Sequence, residues 1–404
     1  MSQHLSHSQL NELAARFGTP LYVYHAEKIR EQYAKLTEGF SGLDARFFFA
    51  CKALTNINIL KYVHSLGCGI DCSSINEVKL ALHAGVPPGQ VLYTSNGISF
   101  DEIVEAVECK VHVNNDSLSN LRKFGEKYGG SYPVGIRIRP NILAGGNLKI
   151  STGHEKSKFG IPIDQVDQIQ HIMAENGLRV VTLHIHTGSD IKDADVFVHG
   201  IKVLSDLVPH FPDLSYIDLG GGFKVPYEPE DEETDIRHIA TRLNAYLETH
   251  LFKQGRKFQL WFEPGKYLVS ECGYLLTTVN VIKDNNSQTF VGVNSGLNHL
   301  IRPMMYDAYH RLTNLSNPQA VEKAYTVTGY ICETDTFATD RLLHEVREGD
   351  NLVFYNAGAY GFEMSSNYNS RYKPAEVMVK DGEAFLIRDR DNFDDLLKKQ
   401  KAVL

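Results

Sequence analysis

At 404 residues the chain is too long for one small core and suits one large barrel with a second domain. Hydrophobic residues make up 43% and charged residues 22%, an ordinary globular composition that excludes a disordered chain. With 41 Lys+Arg against 49 Asp+Glu the formal charge is −8, which offers no basic face to nucleic acid and makes a small-molecule partner the expectation. No run reaches the roughly 18 apolar residues of a membrane span. The opening "MSQHLSHSQLNELAARFG" lacks the charged-then-apolar order of a signal peptide, so a cytoplasmic location is expected. Cys51, Cys68, Cys72, Cys109, Cys272 and Cys332 are scattered without paired CxxC spacing, which predicts reduced thiols and no metal site.

In chain order, eight segments read as strands. They are "ARFFFA" (45–50), "CGID" (68–71), "VLYT" (91–94), "KVHV" (110–113), "PVGIRI" (133–138), "RVVTLHIH" (179–186), "LSYIDL" (214–219) and "FQLWF" (258–262). Helical patterns fall between them. In "SINEVKLALHAG" (74–85), Val78, Leu80, Ala81 and Leu82 are expected on one face with Gly85 closing the end, and "DEIVEAVE" (101–108) spaces Ile103, Val104 and Val107 helically. Alternation of this kind predicts parallel βα units, and eight of them close into a (β/α)8 barrel, with an open doubly wound sheet as the competitor. The residues after the strands favour the barrel. Lys52, Asp71, Asn96, Asn114, Arg137, His184 with His186, Gly220–Gly222 and Glu263 each follow or end a strand, where a barrel gathers its working groups.

Beyond about residue 270 the pattern turns β-rich: 274–283, 289–294, 324–332, 351–356, 375–380 and 384–389. A second, mostly antiparallel β domain is expected. "PLYVY" (20–24) is expected to join its sheet, making residues 1–35 and 267–404 one discontinuous domain around a barrel at 36–266. The glycine- and serine-rich stretch 141–160, after the fifth barrel strand, reads as a lid or as an ordinary solvated loop.

Three features carry chemistry. In "IDLGGGFKVP" (217–226) a strand runs into three glycines, which form either a tight turn or a bare cradle of N–H groups for an anion. By count this follows the seventh barrel strand, a usual phosphate position. In "FEPGKYLVSE" (262–271) Glu263 ends the eighth strand beside it. A carboxylate next to a phosphate site suits pyridoxal phosphate, whose ring nitrogen becomes an electron sink when kept protonated. Lys52, in "FFFACKALTN" (47–56), is by itself either a snorkelling strand end or a pocket amine, and the cofactor's aldehyde favours the amine.

"FFFACKALTN", "HIHTGSD" (184–190), "DLGGGF" (218–223), "EPGK" (263–266), "IRPMMYDAYH" (301–310), "ICETD" (331–335) and "NAGAYGFEMSSNYNSRYKPAEV" (356–377) together resemble the fold-type III pyridoxal-phosphate decarboxylases. The likeness is greatest to the branch acting on meso-2,6-diaminopimelate in lysine biosynthesis, and it spans nearly the whole chain. The resemblance implies that Lys52 carries the cofactor covalently and that His186 stacks on its ring. It implies further that Ser189, Gly220, Gly221, Gly222, Glu263, Gly265 and Lys266 bind cofactor, with Glu263 on the ring nitrogen. Tyr360 is implied for the phosphate and the substrate. Cys332, as proton donor, and Glu333, as ligand of the substrate's distal amine, form a pair lent across a homodimer interface. Arg302 and Tyr306 are implied for the distal carboxylate, with Lys266 also near the substrate.

Two positions depart from the pattern. Lys266 stands where arginine is usual, keeping charge but losing the planar fork, and Asn356 stands where aspartate is common. Decarboxylases of arginine, ornithine, lysine or carboxynorspermidine on the same fold are the alternatives, with an inactive decarboxylase-like regulator as a further one.

Overall fold

The computed structural model describes residues 5–140, 157–285 and 287–403. They fall into two compact units, Gln32–Val225 with Glu232–Tyr267, and the chain up to Glu31 with Pro226–Asp231 and Leu268 onward. Of the stretch read as a lid or loop, 141–156 lies outside the described residues.

The first strand, β1 (Leu21–His25), belongs to the second unit. The first unit holds β2 (Ala45–Ala50), β3 (Gly69–Cys72), β4 (Val91–Thr94), β5 (His112–Asn115), β6 (Val134–Arg139), the two-residue β7 (Ile161–Pro162), β8 (Val180–His184), β9 (Tyr216–Asp218) and β10 (Gln259–Phe262). All their pairings are parallel. β5 pairs with β6 and β10 with β2, so eight strands close into the expected barrel, with β7 a branch on β6. The open-sheet alternative is thereby excluded.

The apolar runs form strands because both of their faces are buried. Phe47 points outward and stacks on Phe262 with ring centroids 5.6 Å apart, while Phe48 points inward and meets Trp261 at 5.0 Å. Gly69 on the next strand makes room for Phe48, since a Cβ there would lie 2.4 Å from its ring. Each barrel helix after β2 to β5 starts at a polar cap that accepts a backbone N–H: Asn56, Ser74, Ser99 and Ser117. In helix Ile75–His83 the expected apolar face is corrected at Leu80, which is 37% exposed. Two residues from buried Val78, it lies about 200° around the helix.

The second unit adds β11 (Gly273–Asp284), β12 (Thr289–Val293), β13 (Leu312–Asn314), β14 (Glu322–Thr328), β15 (Thr336–His344), β16 (Asn351–Phe354), β17 (Ala375–Lys380) and β18 (Glu383–Arg388). The sheet runs β15-β14-β12-β11-β1-β17-β18, with β16 on β11 and β13 on β16. Most pairings are antiparallel. β1 lies between β11 and β17, as "PLYVY" led one to expect, with Leu21 opposite Leu276 and Ala375. Helix His7–Phe17, which the sequence reading did not include, packs Leu10, Leu13 and Ala14 against Val23, Leu276, Val353 and Val377.

Candidate active site

Three adjacent barrel strands end in ionisable groups. β8 ends at His184, β9 at Asp218, and Glu263 follows β10. Strand order 8-9-10 brings them together, with one ligand atom of each within 4.8 Å of the others, all buried. His184 Nε2 lies 3.2 Å from Glu263 Oε2. Asp218 Oδ1 accepts the Gly220 N–H at 2.9 Å.

Electrostatics leaves the negative charge on Glu263. Burial opposes its ionisation, but His184, His186 and Lys52 outweigh burial and hold the carboxyl at about 2. Burial holds His184 below its usual range against the pull of Glu263, so the neutral ring donates its Nε2–H to the carboxylate. Asp218 and Asp71 are both pushed well up, first by burial and then by the charge of Glu263. The raised Asp218 carboxyl bonds to Glu263, whose Oε1 is otherwise buried without a hydrogen-bond partner. A donor brought by a ligand, such as a protonated ring nitrogen, completes it.

Lys52 lies in the 3-10 turn Cys51–Ala53 directly after β2 and is exposed. The turn is fixed to the "EPGK" segment by the Ala50 N–H, which donates to the Pro264 carbonyl at 3.2 Å. His186 accepts the Gly221 N–H on Nδ1 at 3.3 Å, placing its own proton on Nε2. Burial, then the charges of Lys52 and Arg137, press it down to about 3, so it presents a neutral, flat ring. Gly221 must be glycine because a Cβ would meet the Glu263 carbonyl at 2.2 Å. The loop carrying Ser189 is bound to the glycine segment through the Ile191 N–H, which donates to the Gly222 carbonyl at 2.8 Å. Lys266 opens the short helix Lys266–Val269 after Gly265, and its ammonium pairs with the Asp190 carboxylate.

In the second unit, Arg302 and Tyr306 bound one short helix, four residues apart and so on one side of it. Arg302 is buried, its Nε has no hydrogen-bond partner, and its guanidinium carbon lies 5.3 Å from the Tyr227 ring centroid. Cys332 and Glu333 are exposed. The thiol is 3.5 Å from Glu333 Oε2, whose carboxylate also accepts the Tyr368 hydroxyl. Tyr360 has φ +56°, a backbone state rare for a bulky residue and concentrated at functional sites. Asn356 has φ +55°, and its Nδ2 donates to the Pro226 carbonyl at 2.7 Å. An ionised aspartate could not make that bond.

The barrel thus unites Lys52, His186, the glycine segment, Glu263 and Lys266, and the second unit carries the rest. Sequence reasoning noted His184 and Asp71 as strand-end groups without giving them a role, and it passed over Asp218, Tyr227 and His310. The signal for the first three was their place at strand ends; the last two gave none.

A closed barrel whose mouth gathers an exposed lysine, a neutral imidazole, a glycine cradle and a buried carboxylate with one open oxygen fits pyridoxal phosphate and defines a pyridoxal-phosphate enzyme. A family model described as "Pyridoxal-dependent decarboxylase, pyridoxal binding domain" matches residues 26–270. The chain is 39% identical over 399 residues to the diaminopimelate decarboxylase of Methanothermobacter thermautotrophicus, covering 96% of this chain and 93% of that protein. The Aquifex aeolicus diaminopimelate decarboxylase is 35% identical over the same shares. Among solved structures, the diaminopimelate decarboxylase of Helicobacter pylori complexed with L-lysine has a TM-score of 0.89 at 31% identity, covering 96% of this chain and 98% of that one. The chain belongs to the diaminopimelate decarboxylase family of pyridoxal-dependent decarboxylases.

Proposed function

We propose that this chain decarboxylates meso-2,6-diaminopimelate to L-lysine and CO2, the last step of lysine biosynthesis. Arg302 carries the reading. A buried guanidinium with no carboxylate partner among the described residues is costly unless an acid arrives with the ligand. Diaminopimelate brings a distal carboxylate, whereas lysine and ornithine do not. The Helicobacter pylori relative holds L-lysine, which would be the product here.

Bound pyridoxal phosphate supplies an electron sink for the pair left behind as CO2 departs. Lys52 would hold the cofactor through its amine. Glu263, kept anionic by His184, would accept the proton of the ring nitrogen, and His186 would offer its flat face to the ring. Ser189, Gly222 and Tyr360 would hold the phosphate. A proton returns to the substrate carbon from Cys332 or Lys52, while Arg302 with Tyr306 takes the distal carboxylate and Glu333 the distal amine. The barrel at 36–266 serves as the cofactor-binding domain.

The working unit is a homodimer in which Cys332 and Glu333 serve the partner's site. Their exposure in the single chain supports this. A cytoplasmic location accords with such a biosynthetic reaction, and no helix among the described residues is long and apolar enough to cross a membrane. The test is CO2 release by protein loaded with pyridoxal phosphate from meso-diaminopimelate, lysine, ornithine and arginine, each alone. Preference for any of the last three would overturn the assignment.

A further inference from the structure

A receptor for a substrate carboxylate needs a cation that is held in place yet not neutralised. An acid beside Arg302 would fix it and compete with the substrate in the same stroke. The structure uses an aromatic face instead. The Arg302 guanidinium lies 5.3 Å from the Tyr227 ring centroid, within cation–π range, and its Nε has no hydrogen-bond partner.

Tyr227 is itself fixed on several sides within the second unit. Its hydroxyl donates to Ser270 Oγ at 3.0 Å, and its N–H donates to Asp231 Oδ2 at 3.1 Å. The preceding carbonyl, that of Pro226, accepts Nδ2 of Asn356 at 2.7 Å. His310 meets the ring edge-on, with centroids 5.6 Å apart and planes at 89°. Its Nδ1–H donates to the Tyr355 carbonyl at 2.9 Å, and burial, then the charge of Arg302, presses this imidazole down to about 3, so it stands neutral.

We infer that Tyr227 is a specificity-determining positioning residue, whose ring seats Arg302 so that the guanidinium edge stays open to the substrate's distal carboxylate. This rests on the reading of Arg302 given above. Tyr227 touches neither cofactor nor reacting atoms in this scheme. Its loss should therefore weaken recognition of the far end of the substrate and spare the chemistry.

The test compares Tyr227→Leu, Tyr227→Phe and Arg302→Ala holoenzymes. For each, KM and kcat are measured for meso-diaminopimelate, and the dissociation constant is measured for cadaverine, which carries the two amines and no carboxylate. Tyr227→Leu should raise KM by about tenfold or more with kcat within about threefold and cadaverine affinity within about twofold. Tyr227→Phe, which keeps the ring, should recover most of the loss. If Tyr227→Leu does not give a folded holoenzyme, Tyr227→Gln removes the π face while keeping a polar end and is read the same way. Should Arg302→Ala weaken diaminopimelate selectively while loss of the Tyr227 ring does not, the seat is refuted and the substrate reading stands. Should Arg302→Ala affect both ligands alike, the reading of Arg302 falls, and this inference with it.

Discussion

Replacing Glu263 by glutamine tests whether the barrel holds a buried anion ready for a protonated ring nitrogen. The amide keeps the shape of the side chain and can still accept the His184 Nε2–H, so the charge is the main thing removed. Glu263 is held at about 2 against an ordinary 4.5. At about 1.36 kcal/mol per pH unit, that difference corresponds to about 3 kcal/mol of folding stability. The sign follows from linkage. A depressed folded value means that the unfolded chain binds the proton more readily, so the contribution is complete above 4.5 and is lost as the pH falls toward about 2. Buried His186, held to about 3, also weakens the fold as the pH drops below 6.5, and because the Glu263 charge raises it, its loss is larger in the variant and offsets part of the fall. Urea unfolding of cofactor-free protein, followed by fluorescence of the single tryptophan, buried Trp261 of β10, reads the barrel directly. The stability of wild type minus that of Glu263→Gln should fall by up to about 3 kcal/mol between pH 6 and pH 2, most of it below 4.5. A difference that stays flat across that range would show that the fold does not hold Glu263 ionised, and the account of the ring-nitrogen site would fail.

Much of the barrel is legible in the sequence because buried parallel strands read as apolar runs. "ARFFFA" and "VLYT" coincide with β2 and β4 residue for residue. Strand β15, "TFATDRLLH", escaped because only some of its positions are buried and Leu342 is 62% exposed, so no clean alternation marks it. Helix His7–Phe17 is too polar for its apolar face to stand out, yet the capping box of Ser6 and Gln9 was a usable signal. At the site, Lys52 and Glu263 were readable as single charges at strand ends. The pairing of His184 with Glu263 was not, since it depends on β8, β9 and β10 being neighbours. Tyr227 lies in a short segment, Pro226–Asp231, that leaves the barrel unit for the other one, and no periodicity announces such a crossing. The two departures from the family pattern also become intelligible in three dimensions. Asn356 has the Pro226 carbonyl to donate to, and Lys266 has Asp190.

Borohydride reduction of the loaded enzyme should fix the cofactor on Lys52, detected by peptide mass, and Lys52→Ala should lose both the visible absorption band and turnover; wild-type activity in that variant would sink the assignment. Mixing Lys52→Ala chains with Cys332→Ala chains should restore part of the activity once subunits exchange, because one of the mixed sites is then intact; demonstrated exchange without recovery would refute a site shared between subunits. Lys266→Arg is expected to be mild. The ammonium is largely buried against the Asp190 carboxylate, with the two side chains 11% and 26% exposed, and a guanidinium can present two parallel N–H groups to the same acceptor. Lys266→Ala instead leaves Asp190 without this cation in the loop that carries Ser189, and that loop is bound to the glycine segment through Ile191 and Gly222. Cofactor affinity, titrated by absorbance, should therefore fall by about tenfold or more in the alanine variant and change by less than about threefold in the arginine variant. If alanine and arginine prove equally mild, the Lys266–Asp190 pair does not hold the loop that carries Ser189 for cofactor binding, and charge at this position is dispensable.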